Sequence, residues 1–213
     1  DFIVFPEFPT KDLRKERERI LRSPRILEEN HMNNKSNIPL TLNAVVGNPI
    51  LHSMSPFLHT PLYRSLGIDA VLLPFEVNNI GKFIAAIHTL PIHLTAVTMP
   101  FKQAVMRHLD RVSPQAKKIK AVNTIVNRNG VLTGYNTDVD GIRFAFRNCR
   151  LSGKNVLLIG AGGVSRAAAY VVSKNGGLLM YLNRTKRNAL ALQEDFGGEL
   201  RAESELSSDR IDV

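Results

Sequence analysis

From Asn43 onward, short apolar runs alternate with stretches whose apolar residues recur at helical spacing. That rhythm predicts strand and helix in turn around a mostly parallel sheet, an α/β fold. Asn43 to Gly47 has the length and texture of a buried strand. Ser55-Pro56 then offers an N-cap followed by proline at the first helical position, and Leu58, Leu62 and Leu66 continue at helical spacing until Gly67 ends the helix. Strands are expected near Ala70 to Val77 and His93 to Thr98, with a helix from about Asn79 to Leu90 between them. Pro100 breaks the chain directly after the third strand and sets Lys102 at the start of a short helix ending near His108. Ala121 to Asn127 and Val131 to Tyr135 flank Arg128-Asn129-Gly130, whose Asn-Gly pair predicts a hairpin turn, and Asp138 opens a helix reaching about Cys149.

Two changes of texture divide the chain. Phe2 to Phe5 reads as a short strand broken by Pro6 and Pro9, Lys11 to Glu29 alternates charges at helical spacing with Leu13, Ile20 and Leu27, and Asn30 to Asn37 is polar. Residues 1–40 are therefore expected to be a charged extension or linker, and 41–150 a first α/β unit. After Leu151-Ser152-Gly153-Lys154 a second unit, 151–213, begins with a strand from Asn155 to Ile159 and a glycine turn. A helix to about Lys174, a strand from Leu178 to Leu182 and a helix after Thr185 follow. This is the opening half of a Rossmann domain, and Ile211-Asp212-Val213 resembles the start of another strand, so the unit is expected to be truncated.

Composition narrows what such a fold can serve. With 213 residues, 44% of them hydrophobic, the chain can bury a sizeable core. Its longest apolar runs are far too short to cross a bilayer and no signal segment opens it, so no membrane partner is expected. A single cysteine, Cys149, cannot form an internal disulfide; a reducing, cytoplasmic setting is the expectation, with Cys149 as a small packing residue. The net charge is +9, and it lies in the body of the chain: residues 1–36 carry eight Lys or Arg against seven Asp or Glu, the remainder twenty against twelve. A basic body suits anionic small molecules. Lys117-Lys118-Ile119-Lys120 lacks interleaved aromatics and reads as a solvated face rather than a nucleic-acid site. The scattered histidines lack a matching acid or cysteine cluster, so no metal site is expected.

The candidate chemistry lies in three places. Val97-Thr98-Met99-Pro100-Phe101-Lys102 supplies a cation, and Gly134-Tyr135-Asn136-Thr137-Asp138 supplies a carboxylate. Downstream, Gly160, Ala161, Gly162, Gly163 and Val164 form the turn between a strand and a helix. Gly160 permits the tight turn, and Gly162 lets the backbone approach a pyrophosphate seated where free N–H groups and the helix dipole favour anions. An acidic residue at the end of the second strand would bind the ribose hydroxyls of NAD, but the sequence there is Asn183-Arg184-Thr185-Lys186-Arg187. Cations and hydroxyls suit the 2′-phosphate of NADP, with Asn183, Arg184, Thr185 and Arg187 as its ligands. An ordinary helix cap at Thr185 with exposed basic residues is the competing reading. A lysine and a carboxylate set upstream of such a loop point to proton transfer beside a dinucleotide.

Five ordered motifs carry a resemblance. Gly47-Asn48-Pro49-Ile50-Leu51-His52-Ser53-Met54-Ser55-Pro56, the Val97 to Lys102 motif, Ala121-Val122-Asn123-Thr124-Ile125, Gly134 to Gly141, and Gly160 to Ala167 occur in the order and spacing of shikimate dehydrogenases. From about residue 43 to 213 the chain resembles that family. The resemblance implies an N-terminal substrate domain followed by an NADP-binding Rossmann domain, and the reversible, NADPH-dependent reduction of 3-dehydroshikimate to shikimate in aromatic amino acid biosynthesis. It implies Ser53 and Ser55 for the substrate carboxylate and Thr98, Asn123 and Thr137 for substrate hydroxyls. Lys102 and Asp138 fall beside the reacting carbon, Lys102 stabilising the alkoxide and donating its proton while Asp138 orients it and holds a hydroxyl.

One stretch departs from the family's pattern. Members carry Gly-x-Asn-Val-Thr where this chain has Leu94-Thr95-Ala96-Val97-Thr98, and Ala96 cannot make the asparagine's hydrogen bond. Quinate or another cyclohexane acid thereby becomes a candidate substrate. Three readings stand: an NADP-dependent shikimate dehydrogenase, a quinate/shikimate dehydrogenase using NAD, and a regulator of the same fold that binds pathway metabolites without turnover. The candidate assemblies are a homodimer and a fusion with another pathway domain.

Overall fold

The computed structural model describes residues 40–206 and 210–213. The strand and charged helix expected at Phe2 to Phe5 and Lys11 to Glu29 lie outside those residues. β1 (Thr41–Gly47) is the second strand of a six-stranded sheet ordered β2-β1-β3-β5-β6-β4. It runs parallel to both neighbours, β2 (Ala70–Glu76) and β3 (Ile92–Val97), and is buried on both faces from Asn43 to Gly47, which is why that stretch is apolar but for Asn43. β5 (Thr124–Arg128) pairs antiparallel with β3 and forms a hairpin with β6 (Val131–Tyr135), while β4 (Arg111–Val112) lies parallel to β6 at the edge. The hairpin turns at Asn129 and Gly130, with φ of 54° and 83°, the left-handed pair that Asn-Gly supplies at least cost.

Helices cover the sheet unequally. α2 (Ile80–Ile87) buries Ile80, Phe83, Ile84 and Ile87, one face at i, i+3, i+4, i+7, each worth about 1.5–3 kcal/mol. Asn79 caps it, its side chain accepting from the Lys82 N–H at 3.1 Å. α1 (Ser55–Ser65) forms where expected, but the N-cap position is Met54 and Ser55 is already helical. Its leucine periodicity does not mark the buried face: Leu58, Leu62 and Leu66 are 56%, 51% and 63% exposed. The half-buried side is that of Pro56, Thr60 and Tyr63, spaced i, i+4, i+7, and the Tyr63 hydroxyl accepts from Asn43 Nδ2 of β1 at 3.2 Å.

α3 (Pro114–Ile119) was not expected from the pattern. Ser113 caps it through the Ala116 N–H, Pro114 starts it and left-handed Lys120 ends it. The lysine cluster therefore sits on a short helix, with Lys117 and Lys118 solvated as expected but Ile119 wholly buried. α4 (Asp138–Ala145) stops short of Cys149, which is half-buried against the core of the second sheet.

That second sheet holds β7 (Asn155–Ile159), β8 (Leu178–Leu182) and β9 (Glu199–Leu200), all parallel. α5 (Gly163–Lys174) and α6 (Lys186–Phe196) connect them. The backbone of Ile211 to Val213 continues along β7, the Leu157 N–H donating to the Val213 carbonyl at 2.8 Å. Ala167 and Val171 of α5 are buried against Ile119, Ala121 and Val139, so apolar packing joins this half of the structure to the first. Among the described residues, no helix is long and apolar enough to cross a membrane.

Candidate active site

Parallel pairing brings the C-terminal ends of β1 and β3 to the same edge of the sheet, and the turns leaving them are tied together. The Asn48 N–H donates to the Met99 carbonyl at 2.9 Å and the Thr98 N–H to the Val46 carbonyl at 2.9 Å; the bonds entering Pro49 and Pro100 are both cis. Beyond Pro100 the Phe101 N–H turns back to the Thr98 carbonyl at 3.0 Å, sinking the Phe101 ring into the core. Lys102 follows, its main-chain carbonyl held by the Val122 N–H at 2.7 Å and its side chain 12% exposed.

The lysine meets the carboxylate. Lys102 Nζ lies 2.7 Å from Asp138 Oδ2, and Asn123 Nδ2 donates to the other carboxylate oxygen at 2.8 Å. Asn123 Nδ2 also reaches Thr137 Oγ1 at 3.0 Å, and its Oδ1 accepts from the Thr137 N–H at 2.8 Å and from the Thr124 hydroxyl at 3.0 Å. Asn136, 2% exposed, pins this loop from beneath by donating from Nδ2 to the Ala121 carbonyl at 3.0 Å. Asp138 is thus fixed by both oxygens and takes one of the three ammonium donors of Lys102. The other two have no partner among the described residues and are free for a ligand oxygen.

Four of the expected substrate residues, Lys102, Asn123, Thr137 and Asp138, therefore form one network, with Thr98 in the adjoining turn. Ser53, in the turn after β1, and Ser55, the first residue of α1, lie at the same edge of the sheet but bond to each other: the Ser55 N–H donates to Ser53 Oγ at 3.2 Å. Both are half-buried, and the turn is anchored by the Ile50 N–H donating to Glu76 Oε2 at 3.0 Å. Thr124 and Asn136 belong to quoted motifs but carry no role in the sequence reading.

The glycine turn has the shape an anion needs. Gly160 takes φ +99°, which L side chains rarely adopt. Gly162 sits at the N-cap of α5 with no side-chain cap, and the first helical bond is from the Arg166 N–H to the Gly162 carbonyl. The N–H groups ahead of it have no partner within the helix. A Cβ placed on Gly162 would meet nothing within 4 Å, so this helix end opens onto free space, flanked by exposed Ile159 and Val164 with Ala161 half-buried. These residues fit a dinucleotide. Beyond β8, Asn183 Nδ2 donates to the Thr185 carbonyl at 2.7 Å. Thr185 holds the N-cap position of α6 without a side-chain capping bond, so its hydroxyl stays open to a ligand beside exposed Arg184 and Arg187.

One buried cation escaped the sequence reading altogether. Arg166, 5% exposed, donates from Nε to the Ile119 carbonyl at 2.6 Å, pairs with Asp195 of α6 and stands 5.5 Å from the Phe196 ring. Asp195 also pairs with Lys120. Burial pushes the Asp195 carboxyl up, but hydrogen bonds from Lys120 and Arg166 and their two charges outweigh it and hold the group below its ordinary value. No group of His, Cys, Asp and Glu among the described residues could hold a metal ion.

Comparison with known proteins bears on this geometry. The family model described as the shikimate dehydrogenase substrate binding domain matches residues 45–125. The NADP(+) shikimate dehydrogenase of Pyrococcus abyssi is 46% identical over 154 residues, covering 72% of this chain and 58% of that protein. The chain thus spans less than two thirds of that relative's length. The crystal structure of shikimate dehydrogenase from Aquifex aeolicus superposes with a TM-score of 0.75 at 36% identity, covering 83% of this chain and 68% of that one. Shikimate 5-dehydrogenase from Thermus thermophilus, solved in complex with NADP(H) and shikimate, gives a TM-score of 0.70 at 33% identity, covering 78% and 64%.

Proposed function

The chain belongs to the shikimate dehydrogenase family, and from that premise we propose that it reduces 3-dehydroshikimate to shikimate, reversibly, with NADPH. Residues 41–150 would form its substrate domain, and the dinucleotide domain would begin at 151. The observation that carries the reading is the Lys102–Asp138 pair, 2.7 Å apart, beside the first turn of α5. Bound NADPH supplies the hydride that adds to the ketone carbon. Lys102 delivers the proton: one ammonium donor stays on Asp138, and a second faces the carbonyl oxygen, stabilises its growing negative charge and gives up its proton to it. In the reverse direction the neutral amine takes that proton back.

The remaining roles follow from position. Ser53 and Ser55, two hydroxyls one residue apart in an anchored turn, receive the substrate carboxylate. Thr98, Asn123 and Thr137 receive ring hydroxyls. Gly160 to Val164 seat the pyrophosphate, and Arg184 and Arg187, with Asn183 and Thr185, receive the 2′-phosphate. The single cysteine favours a reducing compartment, and we place the protein in the cytoplasm.

Ala96 favours a second reading in which quinate competes as substrate. It faces Thr124 across the β3–β5 ladder and packs with Val45, Ile50 and Leu72, so no side-chain amide meets a ring hydroxyl there.

The deciding experiment follows the nicotinamide absorbance with shikimate and NADP, and with quinate and NAD as controls, for the parent and Lys102→Ala. Reduction that depends on shikimate and prefers NADP is expected, with Lys102→Ala lowering kcat by about 10²–10⁴ while shikimate still binds. Equal turnover in parent and variant removes Lys102 from the mechanism. No turnover with any pair, despite shikimate binding, makes the protein a metabolite-binding regulator.

A further inference from the structure

The two adjacent glycines at the head of α5 meet opposite surroundings. A Cβ on Gly162 would meet nothing within 4 Å, whereas one on Gly163 would meet Lys102 alone at its three nearest contacts: Cδ at 2.8 Å, Cβ at 3.0 Å and Cγ at 3.4 Å. Contacts that short force something to move, and neither side yields easily. The root of Lys102 is held by the Val122 N–H on its carbonyl, its neighbour Phe101 is buried, and its ammonium is drawn to Asp138. On the other side, Arg166 bonds the Ile119 carbonyl one turn along α5, and Ala167 and Val171 are buried against Ile119, Ala121 and Val139. The space between helix and lysine therefore has room for a hydrogen atom and not for a methyl group.

We infer that Gly163 is a positioning residue for Lys102: its missing side chain lets the head of α5 lie on the lysine stem and hold the ammonium against Asp138. The two glycines divide the work. Gly162 leaves the helix end open to the dinucleotide, and Gly163 seats the proton donor beneath it, so the same turn of helix registers both reactants. This rests on the proposed role of Lys102.

The test uses the full chain and four variants: Gly163→Ala, Gly162→Ala, Lys102→Ala and the double variant Lys102→Ala/Gly163→Ala. Melting temperature, NADP affinity without shikimate, and kcat are read for each. Gly163 is the first helical residue, where alanine is favourable to the backbone, so any penalty comes from the lysine stem. Gly163→Ala is expected to lower kcat about ten- to a hundredfold, the cost of a displacement near 1 Å, and to weaken NADP binding by less than it lowers kcat, because the added methyl meets the lysine stem. It should lower the melting temperature by clearly more in the parent than in the Lys102→Ala background, where the Cδ and Cγ contacts are gone and only the 3.0 Å contact with Cβ remains. Gly162→Ala should weaken NADP binding and show no such dependence on Lys102.

An equal loss of melting temperature in both backgrounds overturns the inference, as does weakened NADP binding with kcat intact. So does a dependence of Gly162→Ala on Lys102 as large as that of Gly163→Ala. Should Gly163→Ala not fold, folding restored in the double variant supports the inference, and continued failure even in Lys102→Gly/Gly163→Ala, where the Cβ contact is gone as well, overturns it. A parent that turns over no substrate defeats the proposed function, while the melting comparison still decides the contact.

Discussion

Replacing Asp195 by asparagine removes the charge that neutralises Arg166, and the surroundings of the arginine set the size of the effect. Its side chain is 5% exposed, so the guanidinium would be left charged and without its counter-ion in a site nearly sealed from water. Breaking a buried pair from one side costs about 3–5 kcal/mol. Arg166 keeps its bond to the Ile119 carbonyl and the Phe196 ring at 5.5 Å, which places the expected loss near the lower end, about 3 kcal/mol. For a chain of this size that corresponds to about 6–12 °C in Tm. Lys120, the second partner of Asp195, is 60% exposed, and Lys120→Ala should cost no more than about 1 kcal/mol. Urea unfolding followed by circular dichroism, with calorimetric Tm, measures each loss at pH 7.

The pH dependence carries the sign. The Asp195 carboxyl is held below its ordinary value of 3.8, so its contribution is complete well above that value and disappears as the pH falls through the lower folded value. The stability gap between parent and Asp195→Asn should therefore be constant from pH 7 to about 5 and close as the pH drops below 3.8. Replacing both partners, as Arg166→Met with Asp195→Leu, should recover most of the loss, because no buried charge is then stranded. A variant within about 1 kcal/mol of the parent at neutral pH, or a gap that widens on acidification, would refute this account of the ion pair.

Two further outcomes test the specificity of the site. Arg184→Ala should weaken NADPH binding about ten- to a hundredfold, as expected for one lost charge-assisted hydrogen bond, and leave NADH binding almost unchanged; fluorescence titration with both cofactors decides, and equal losses remove the phosphate clamp. Ala96→Asn restores an amide on β3 and should raise kcat/KM for shikimate relative to quinate. An unchanged ratio would show that Ala96 does not set substrate preference.

How far these features are legible before the fold is known depends on what each one requires. β7, α5 and β8 fall where the pattern puts them, because a short apolar run bounded by glycine or polar residues is too short for a helix and reads as a strand. Periodicity says that residues 55–65 are helical but not which side of the helix the sheet covers, and Tyr63, reaching Asn43, turns the leucines outward. α3 carries the same Ser-Pro start signal as α1, in Ser113-Pro114, but the lysines that follow it read as a solvated face. Lys102 and Asp138 are legible because each stands in a motif of its own. Arg166 is not, since its partner lies 29 residues downstream and nothing in a helical pattern distinguishes a buried arginine from a solvated one. Gly163 is the hardest case, because a residue with no side chain states only that something comes close. In the sequence it belongs to the glycine turn with Gly160 and Gly162; in the fold its Cβ position faces the stem of Lys102, under a helix packed against Ile119, Ala121 and Val139. The helix proposed to seat the cofactor is thereby part of the scaffold that positions Lys102, and on the proposed mechanism a change in its docking should be read first in kcat.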